Sequence, residues 1–505
     1  MDTTYYQPQI SGAKLVIIEN DEVRVCELAH RSQWLVGRID PNSATEPEIP
    51  FSSRIVSRKH GSFRNIDGQW YYVDEPENLN GTFYNGVKMQ RPLPGRKKSV
   101  PLANGDILRV DNADLDRVSS EGVLMLFTTD EVSGSWTALS LDGRESLCIG
   151  RDRSCELCEP LAYFSARHAK LSLLNGKWYI SDCGSTAGTY VNGEAVTKSR
   201  VLREKDRISI CDRSYFFLGS KILYVLRNAD RELWSLRQTI PAQRPVVLKA
   251  DIDTKRVKDN NGTGTKELIK DIHLEIRQGT LVALLGTAGA GKSTLMNCLN
   301  GMDLEGVQGS VLYRGVDLMK NFDRMKSMIG SVPQQKIFHK TFTPEKELRL
   351  AARKRLPADT TKQEIEARVN RTLQMLSMDG VRKNKNSKLS GGEQTRVNVG
   401  IELVADRDLL CLDEPDQGLS PNYKHELFEI MRSLAHQSGK SVLSIIHDVS
   451  EIDIFDQVII LAKVEGVGRL AFSGSPAEGR KFFGVDIKDA YALLEREPEK
   501  FINKR

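Results

Sequence analysis

The chain changes its hydrophobic period once. Up to about residue 226, apolar residues come in short runs or alternate with polar ones. Lys14 to Ile18, Trp34 to Val36, Trp70 to Val73 and Ile107 to Val110 are examples. Gly37, Asn65-Ile66-Asp67-Gly68, Asn80-Gly81, Asn85-Gly86 and Asn104-Gly105 punctuate them. Short strands closed by Asn-Gly and Asp-Gly turns predict a β-sandwich. Beyond residue 246 the pattern differs. Leu281 to Leu285 is an apolar, strand-prone run, followed by Leu295, Met296 and Leu299 at helical spacing. Ile365, Val369, Leu373 and Leu376 mark a second amphipathic helix, over Lys362 to Leu376. This half predicts an α/β domain.

Bulk properties narrow the class. A length of 505 residues predicts two to four domains, and 40% apolar with 28% charged residues fits a globular chain. A net charge of +5 over that length gives no argument for nucleic acid. No apolar run is long enough to cross a bilayer and the start lacks a secretory pattern, so the expected compartment is the cytoplasm. The eight cysteines are scattered and read as free thiols. Cys155 and Cys158 form a lone C-x-x-C without a second pair, which argues against zinc. Cys298 and Cys411 are expected in the core.

The sharpest chemistry lies between the apolar run and the first helix. Gly286-Thr287-Ala288-Gly289-Ala290-Gly291-Lys292-Ser293 satisfies G-x-x-x-x-G-K-[ST] in its required setting of strand, turn and helix. Backbone N–H groups of such a loop wrap a polyphosphate, and the helix N-terminus adds a favourable field. Lys292 is expected to neutralise the terminal phosphates and Ser293, followed by Thr294, to ligate Mg²⁺.

Further motifs follow in order. Leu389-Ser390-Gly391-Gly392-Glu393-Gln394 opens a helix. Leu409 to Leu412 is an apolar strand ending in Asp413-Glu414-Pro415. Ser331-Val332-Pro333-Gln334 and Ser444-Ile445-Ile446-His447-Asp448 flank it. Together these resemble the signature, Walker B, Q-loop and switch of ATP-binding-cassette (ABC) ATPases. The resemblance covers residues 246–505 and implies ATP and Mg²⁺ as ligands. Asp413 would hold Mg²⁺, Gln334 would sense it or water, Glu414 would polarise the attacking water, and His447 would reach the γ-phosphate. Ser390, Gly391, Gly392 and Glu393 would face ATP bound to an opposite subunit, which implies a homodimer. Ile337 to Thr343 and Gly468 to Gly474 resemble the G subfamily, with a helical subdomain expected at about 345–405. Three departures stand out: no aromatic near residues 250–260 to stack on adenine, Ser420 where the family has Asp, and no membrane domain before Arg505.

The first half carries three polar clusters in predicted loops: Gly37-Arg38, Ser57-Arg58-Lys59-His60, and Asn80-Gly81-Thr82. In this order they resemble a forkhead-associated (FHA) domain, which implies phosphothreonine-peptide binding at one end of the sandwich. Arg38 and Ser57 suit the phosphate, Arg58 the phosphate or peptide backbone, and Asn80 the peptide main chain. His60 is expected to brace the loops. Gly150-Arg151, Ser165-Ala166-Arg167-His168 and Gly184 to Thr189 repeat the series, so a second FHA copy follows. Arg151 and Ser165 remain for phosphate, whereas Ala187 replaces the asparagine and Ala166 stands where the first copy has Arg58. For this copy a structural role and true peptide binding both stay open.

The expected layout is a tail (1–12), two all-β FHA sandwiches (13–130 and 131–226), a charged, solvated linker (227–245) and an α/β P-loop ABC ATPase domain with a helical subdomain (246–505). The implied function is the ATPase subunit of an ABC transporter regulated by phosphothreonine recognition. The alternative is a phosphopeptide-recruited, ATP-driven switch without transport. Expected partners are a transmembrane domain on a separate or missing segment, a phosphothreonine protein and a Ser/Thr kinase. No nucleic acid is expected, and the chain would sit at the inner face of the cell membrane. Thr239, Thr263 and Thr265 are candidate kinase targets near the linker.

Overall fold

A computed structural model describes residues 12–502 except 20–21, 29–30, 41–45, 76–77, 79, 85–86, 90–97, 112–121, 130–134, 204–205, 227–243 and 259–263. The Asn85-Gly86 turn, Thr239, Thr263 and most of the linker lie outside the described residues.

Among the described residues the first sandwich pairs a six-stranded with a five-stranded sheet. The smaller sheet runs Ile49–Phe51, Gln33–Arg38, Gly61–Ile66, Gln69–Asp74 and Lys98–Pro101. In the second sandwich the order repeats as Leu157–Cys158, Ser146–Gly150, Ala169–Leu174, Lys177–Asp182 and Arg200–Val201. In both, the strand ending in the Gly-Arg pair runs parallel to the short edge strand and antiparallel to its other neighbour. The two sheets close over Leu15, Ile17, Phe63, Tyr72, Leu108 and Met125 in the first copy.

Strand Lys14–Glu19 is apolar on both faces for a reason. Leu15 and Ile17 point into their own sandwich, while Val16 and Ile18 join Ile107, Leu124 and Leu126 against Phe216, Leu218 and Leu223 of the second copy. The period-two alternation is thus masked because both faces are covered.

The third unit is organised on one sheet that is ten-stranded among the described residues. Gln457–Val464, Leu281–Gly286, Ser441–Ile445, Leu409–Asp413 and Ile329–Val332 are mutually parallel neighbours. Val246–Lys258, Thr265–Arg277 and Val307–Tyr313 form an antiparallel wing; Thr265 opens its second strand. Helices Pro344–Arg355, Lys362–Met375 and Gly391–Leu403 pack together as the helical subdomain. Capping boxes start two of them: Thr361 with Glu364, and Ser390 with Glu393.

The second sandwich is not merely tethered to this unit. Its core continues into the antiparallel wing. At that junction Arg314 Nη1 lies 3.3 Å from Asp212 of the sandwich, and its Nη2 lies 3.0 Å from Asp408, the residue before strand Leu409–Asp413. Arg213 joins the cluster, 3.3 Å from Asp212 and 2.9 Å from Glu159. The linker's end also departs from the expected solvated tether. Arg244 is buried and donates to the Gly279 carbonyl, while Arg277 donates to the Arg244 carbonyl at 2.7 Å. Cys148 and Cys155 form a disulfide, against the expectation of eight free thiols; Cys298 and Cys411 are buried as expected. The pair is seven positions apart and joins strand Ser146–Gly150 to the loop that follows it, with no motif to announce it.

Arg314→Ala is expected to remove the cation that joins buried Asp212 and Asp408, with Asp212 keeping Arg213, at a cost of about 3 kcal/mol, the low end for breaking a buried ion pair. Denaturant unfolding of the full chain would show the second sandwich and the cassette separating at lower denaturant. An unchanged profile would contradict the assigned role of this cluster.

Candidate functional site

The phosphate loop leaves the sheet at its centre. Strand Leu281–Gly286 is buried along its whole length and leads through Thr287, Ala288, Gly289 and Ala290 to helix Lys292–Leu299. Gly291, with φ +83°, is the residue before the helix, a left-handed conformation that suits glycine. Gly468 in strand Val467–Gly474 has a different constraint. A Cβ there would meet the Ala290 carbonyl oxygen at 2.1 Å, so this glycine lets the loop pass close to the sheet. Lys292 Nζ donates to the carbonyls of Gly286 (3.0 Å) and Thr287 (3.4 Å). Burial holds its ammonium below the usual lysine range, while Glu414 and Asp413 act in the opposite sense. The Thr287 hydroxyl is buried with no partner among the described residues. Ser293 is exposed in the helix's first turn, followed by half-buried Thr294.

The acidic pair sits one strand over from Ser441–Ile445. Asp413 ends strand Leu409–Asp413, and burial first, then Glu414, raises its pKa. Glu414 has φ +47°, a left-handed conformation uncommon for a non-glycine residue and frequent at functional sites. The turn aims its carboxylate at two partners. His447 Nε2 lies 2.6 Å from Oε1, and Gln334 donates from Nε2 to Oε2 at 2.8 Å. Gln334 also donates to Gln417 Oε1 at 3.0 Å. The structure therefore gathers Gln334, Glu414 and His447 from three separate loops.

The signature residues form a second cluster. Ser390 caps helix Gly391–Leu403: its hydroxyl accepts from Glu393 N–H at 3.3 Å and its own N–H donates to Glu393 Oε2 at 2.7 Å. Gly392 is buried, and a Cβ on it would lie 3.3 Å from Tyr423. Lys336 ties the loop after Gln334 to this helix by donating to the Gly391 carbonyl at 2.9 Å. Among the described residues no hydrogen bond joins Ser390, Gly391, Gly392 or Glu393 to residues 286–294. Ser420 precedes helix Pro421–His436 without a side-chain cap; nearby, Lys424 pairs with Asp448 at 2.8 Å and pulls its carboxyl to about 2.

Two neighbours escaped the sequence. Gln417, seen only as part of an unusual segment, holds Gln334. Tyr491, on helix Ile487–Arg496, is hydrogen-bonded by the backbone of Gly286, and burial raises its phenol to about 12. No local pattern marks either residue, because each acts on a loop distant in sequence.

The FHA-like loops share their glycine and histidine contacts, while the carbonyls that the two arginines reach stand at different positions. A Cβ on Gly37 would meet the Arg58 carbonyl oxygen at 2.1 Å, and one on Gly150 the Ala166 carbonyl oxygen at 2.2 Å. Ser57 N–H donates to His60 Nδ1 and Ser165 N–H to His168 Nδ1, both at 3.2 Å. Arg38 Nη1 donates to the Arg54 carbonyl at 3.2 Å, and Arg151 Nη1 to the Phe164 carbonyl at 3.0 Å. Arg58 pairs with Asp40 at 3.0 Å, and Asn80 Nδ2 donates to the Ile55 carbonyl at 2.7 Å, bracing the loop it shares with Arg54. Ala187 is buried. Beyond these shared bonds the arginines differ. No carboxylate among the described residues faces Arg38, whereas Arg151 is held by Asp359 and Glu364 of the helical subdomain.

A phosphate loop ending a central parallel strand, an acidic pair two strands away in the same sheet and a separate helical subdomain define a P-loop ATPase cassette, here preceded by two repeated β-sandwiches. The comparisons specify both parts. The ABC transporter family model matches residues 269–417 and the FHA domain model matches residues 34–111 and 147–211. The chain thus carries two FHA domains and an ABC-transporter ATPase domain. It is 33% identical over 352 residues to the ABC transporter ATP-binding/permease protein Rv1747 of Mycobacterium tuberculosis, covering 70% of this chain and 38% of that protein. It is 33% identical over 232 residues to ABC transporter G family member 19 of Arabidopsis thaliana, covering 44% of this chain and 31% of that protein. The chain therefore spans under two fifths of the length of these relatives. A solved structure of cbiO1 from Clostridium perfringens aligns with 50% of this chain and 99% of its own, at 25% identity and a TM-score of 0.41. No helix among the described residues is long and apolar enough to cross a membrane.

Burial pushes His60 down from 6.5 to about 4, against a hydrogen bond that the ring donates to the Gly81 backbone. A base depressed on folding stabilises the fold fully above its unfolded pKa and loses that contribution as pH falls. The share from His60 should be complete above pH 6.5 and fall by about 3 kcal/mol as pH approaches 4. Denaturant midpoints of the full chain across this range should drop, with a flatter slope in His60→Asn. Equal slopes for the two proteins would contradict a neutral, bracing His60.

Proposed function

We propose that this chain is the ATP-hydrolysing component of a G-type ABC transporter, with assembly or activity set by phosphothreonine recognition. The observation that carries the reading is the Glu414 carboxylate, fixed between His447 and Gln334 beside the phosphate loop. In this reading Glu414 is the general base for water and His447 orients it toward the γ-phosphate. The loop from Gly286 to Ser293, with Thr294, binds the ATP phosphates. The Thr287 hydroxyl, buried without a partner, supports a polar ligand in the loop.

Mg²⁺ fits the donor set of Ser293, Asp413 and Gln334. Among the described residues no three His, Cys, Asp or Glu side chains form a cage, which suits a cation that keeps waters and phosphate oxygens in its shell. When bound, the ion would neutralise phosphate charge. The chain's own part is to supply a hydroxyl, a carboxylate and an amide for it.

Ser390, Gly391, Gly392 and Glu393 crown a capped helix and would complete the ATP site of a second copy, making the working form a homodimer. In the first FHA copy, taken as residues 13–130, Arg38, Ser57, Arg58 and Asn80 would bind a phosphothreonine protein. A Ser/Thr kinase would act upstream, and residues 131–226 would form the second copy. The cassette, taken as residues 246–505 after a linker at 227–245, would meet a membrane domain at the inner face of the cell membrane. The permease in the printed name of the mycobacterial relative supports that partner.

Glu414→Gln is expected to keep Mg-ATP binding and slow hydrolysis by about 10²–10⁴. Lys292→Ala should instead lose the thermal stabilisation that saturating Mg-ATP gives the wild type. Turnover in purified Glu414→Gln equal to wild type would overturn the assignment.

A further inference from the structure

The phosphate cradle of the second FHA copy is filled by the chain itself. Asp359 sits between helices Pro344–Arg355 and Lys362–Met375 of the helical subdomain, some two hundred residues away in sequence. Its Oδ1 accepts from Arg151 Nη1 at 2.8 Å, and its Oδ2 accepts from the Ala166 backbone N–H at 2.5 Å. Glu364 takes the other edge of the guanidinium, accepting from Nε and Nη2 at 3.4 Å each. Arg151 Nη2 also reaches the Asp359 carbonyl at 3.5 Å. These interactions bury the Arg151 side chain to 12% exposure. On the same side, Ala162 of this sandwich packs into the core of the helical subdomain.

We propose that the second FHA copy is an intramolecular docking module, in which Asp359, backed by Glu364, is a permanent stand-in for phosphothreonine. This rests on the reading of Arg151 and the Ala166 N–H as a phosphate cradle. The chemistry matches that ligand. A phosphate presents up to two negative charges and several acceptor oxygens to such a cradle. Asp359 places one oxygen on the arginine and one on the backbone N–H, and Glu364 supplies the second negative charge.

The departures of this copy fit the same role. A free phosphopeptide needs the main-chain grip that Ala187 does not offer. It also needs contacts near Ala166, where the first copy has an arginine. A segment of the same chain needs neither, because an effective concentration in the millimolar range lets a weak site fill. The Ser165 hydroxyl is correspondingly turned to the fold, accepting from the Thr186 N–H at 3.4 Å.

The docked copy touches both lobes of the cassette. Arg314 and Asp408 fasten it beside the sheet, and Asp359 and Glu364 fasten it to the start of helix Lys362–Met375. Glu364 is also the reciprocal partner of Thr361 in that helix's capping box, so Arg151 grips a residue that fixes the helix terminus. The second copy is in this way a strut between the lobes.

The test is hydrogen exchange on the full chain, read by mass spectrometry. In Asp359→Asn the segment around Ser165–Arg167 should exchange at least about tenfold faster than wild type, the share of one charge-assisted bond. Residues 357–366 should open with it, and the loops around Gly37 and His60 should not change. Arg151→Ala should open residues 357–366 in the same way. Millimolar O-phosphothreonine, but not threonine, should restore protection at Ser165–Arg167 in Asp359→Asn. Unchanged exchange in both variants would overturn the docking. Faster exchange that O-phosphothreonine fails to reverse would overturn the phosphate stand-in and the underlying reading of the cradle, leaving only an ion pair between domains.

Discussion

Arg314 is the cation on which the arrangement of this molecule depends. Asp212 belongs to a sandwich loop and Asp408 to the turn that feeds the strand ending in Asp413. Both carboxylates are buried and need an opposite charge there, which Asp212 also draws from Arg213. One guanidinium serves both, which fixes the second sandwich against the sheet that carries the phosphate loop. The apolar face shared by the two sandwiches then fixes the first copy on the second. Arg151, held by Asp359 and Glu364, adds a third contact on the helical subdomain.

The two FHA copies solve one local problem alike and then diverge. Each needs a glycine before its arginine, because the next loop's carbonyl lies where a Cβ would stand. Each uses a buried histidine as an acceptor for a serine N–H. The difference lies in what faces the arginine. In the first copy no carboxylate among the described residues does so, and Asn80 closes the adjacent loop. In the second copy the arginine is embraced by two carboxylates from the cassette. The two copies thus present one arginine away from the cassette's carboxylates and one held by them.

What could be read from the sequence was what is local. Gly286 to Ser293, the apolar strand ending in Asp413-Glu414, and the Gly-Arg and Ser-x-x-His clusters are short, and each predicts its own turn. The fold class followed from them, and the association of Gln334, Glu414 and His447 followed from the resemblance to ABC ATPases that they carry together. Contacts between distant segments were not legible. Asp359 is an ordinary loop aspartate until the second sandwich is placed on it. Arg314, Gln417 and Tyr491 carry no pattern for the same reason. The apolar run from Lys14 to Ile18 predicts a strand, but nothing local reveals that a second sandwich covers its outer face. The linker suggested a tether by its charge, yet Arg244 at its end is buried under the sheet.

The claim that joins these observations is that one copy reads phosphothreonine from outside and the other holds the cassette. Calorimetric titration of the full chain with a phosphothreonine peptide tests it most directly. The account predicts one peptide per chain, abolished by Arg38→Ala and retained in Arg151→Ala. Two peptides per wild-type chain, or binding lost with Arg151→Ala and kept in Arg38→Ala, would contradict it.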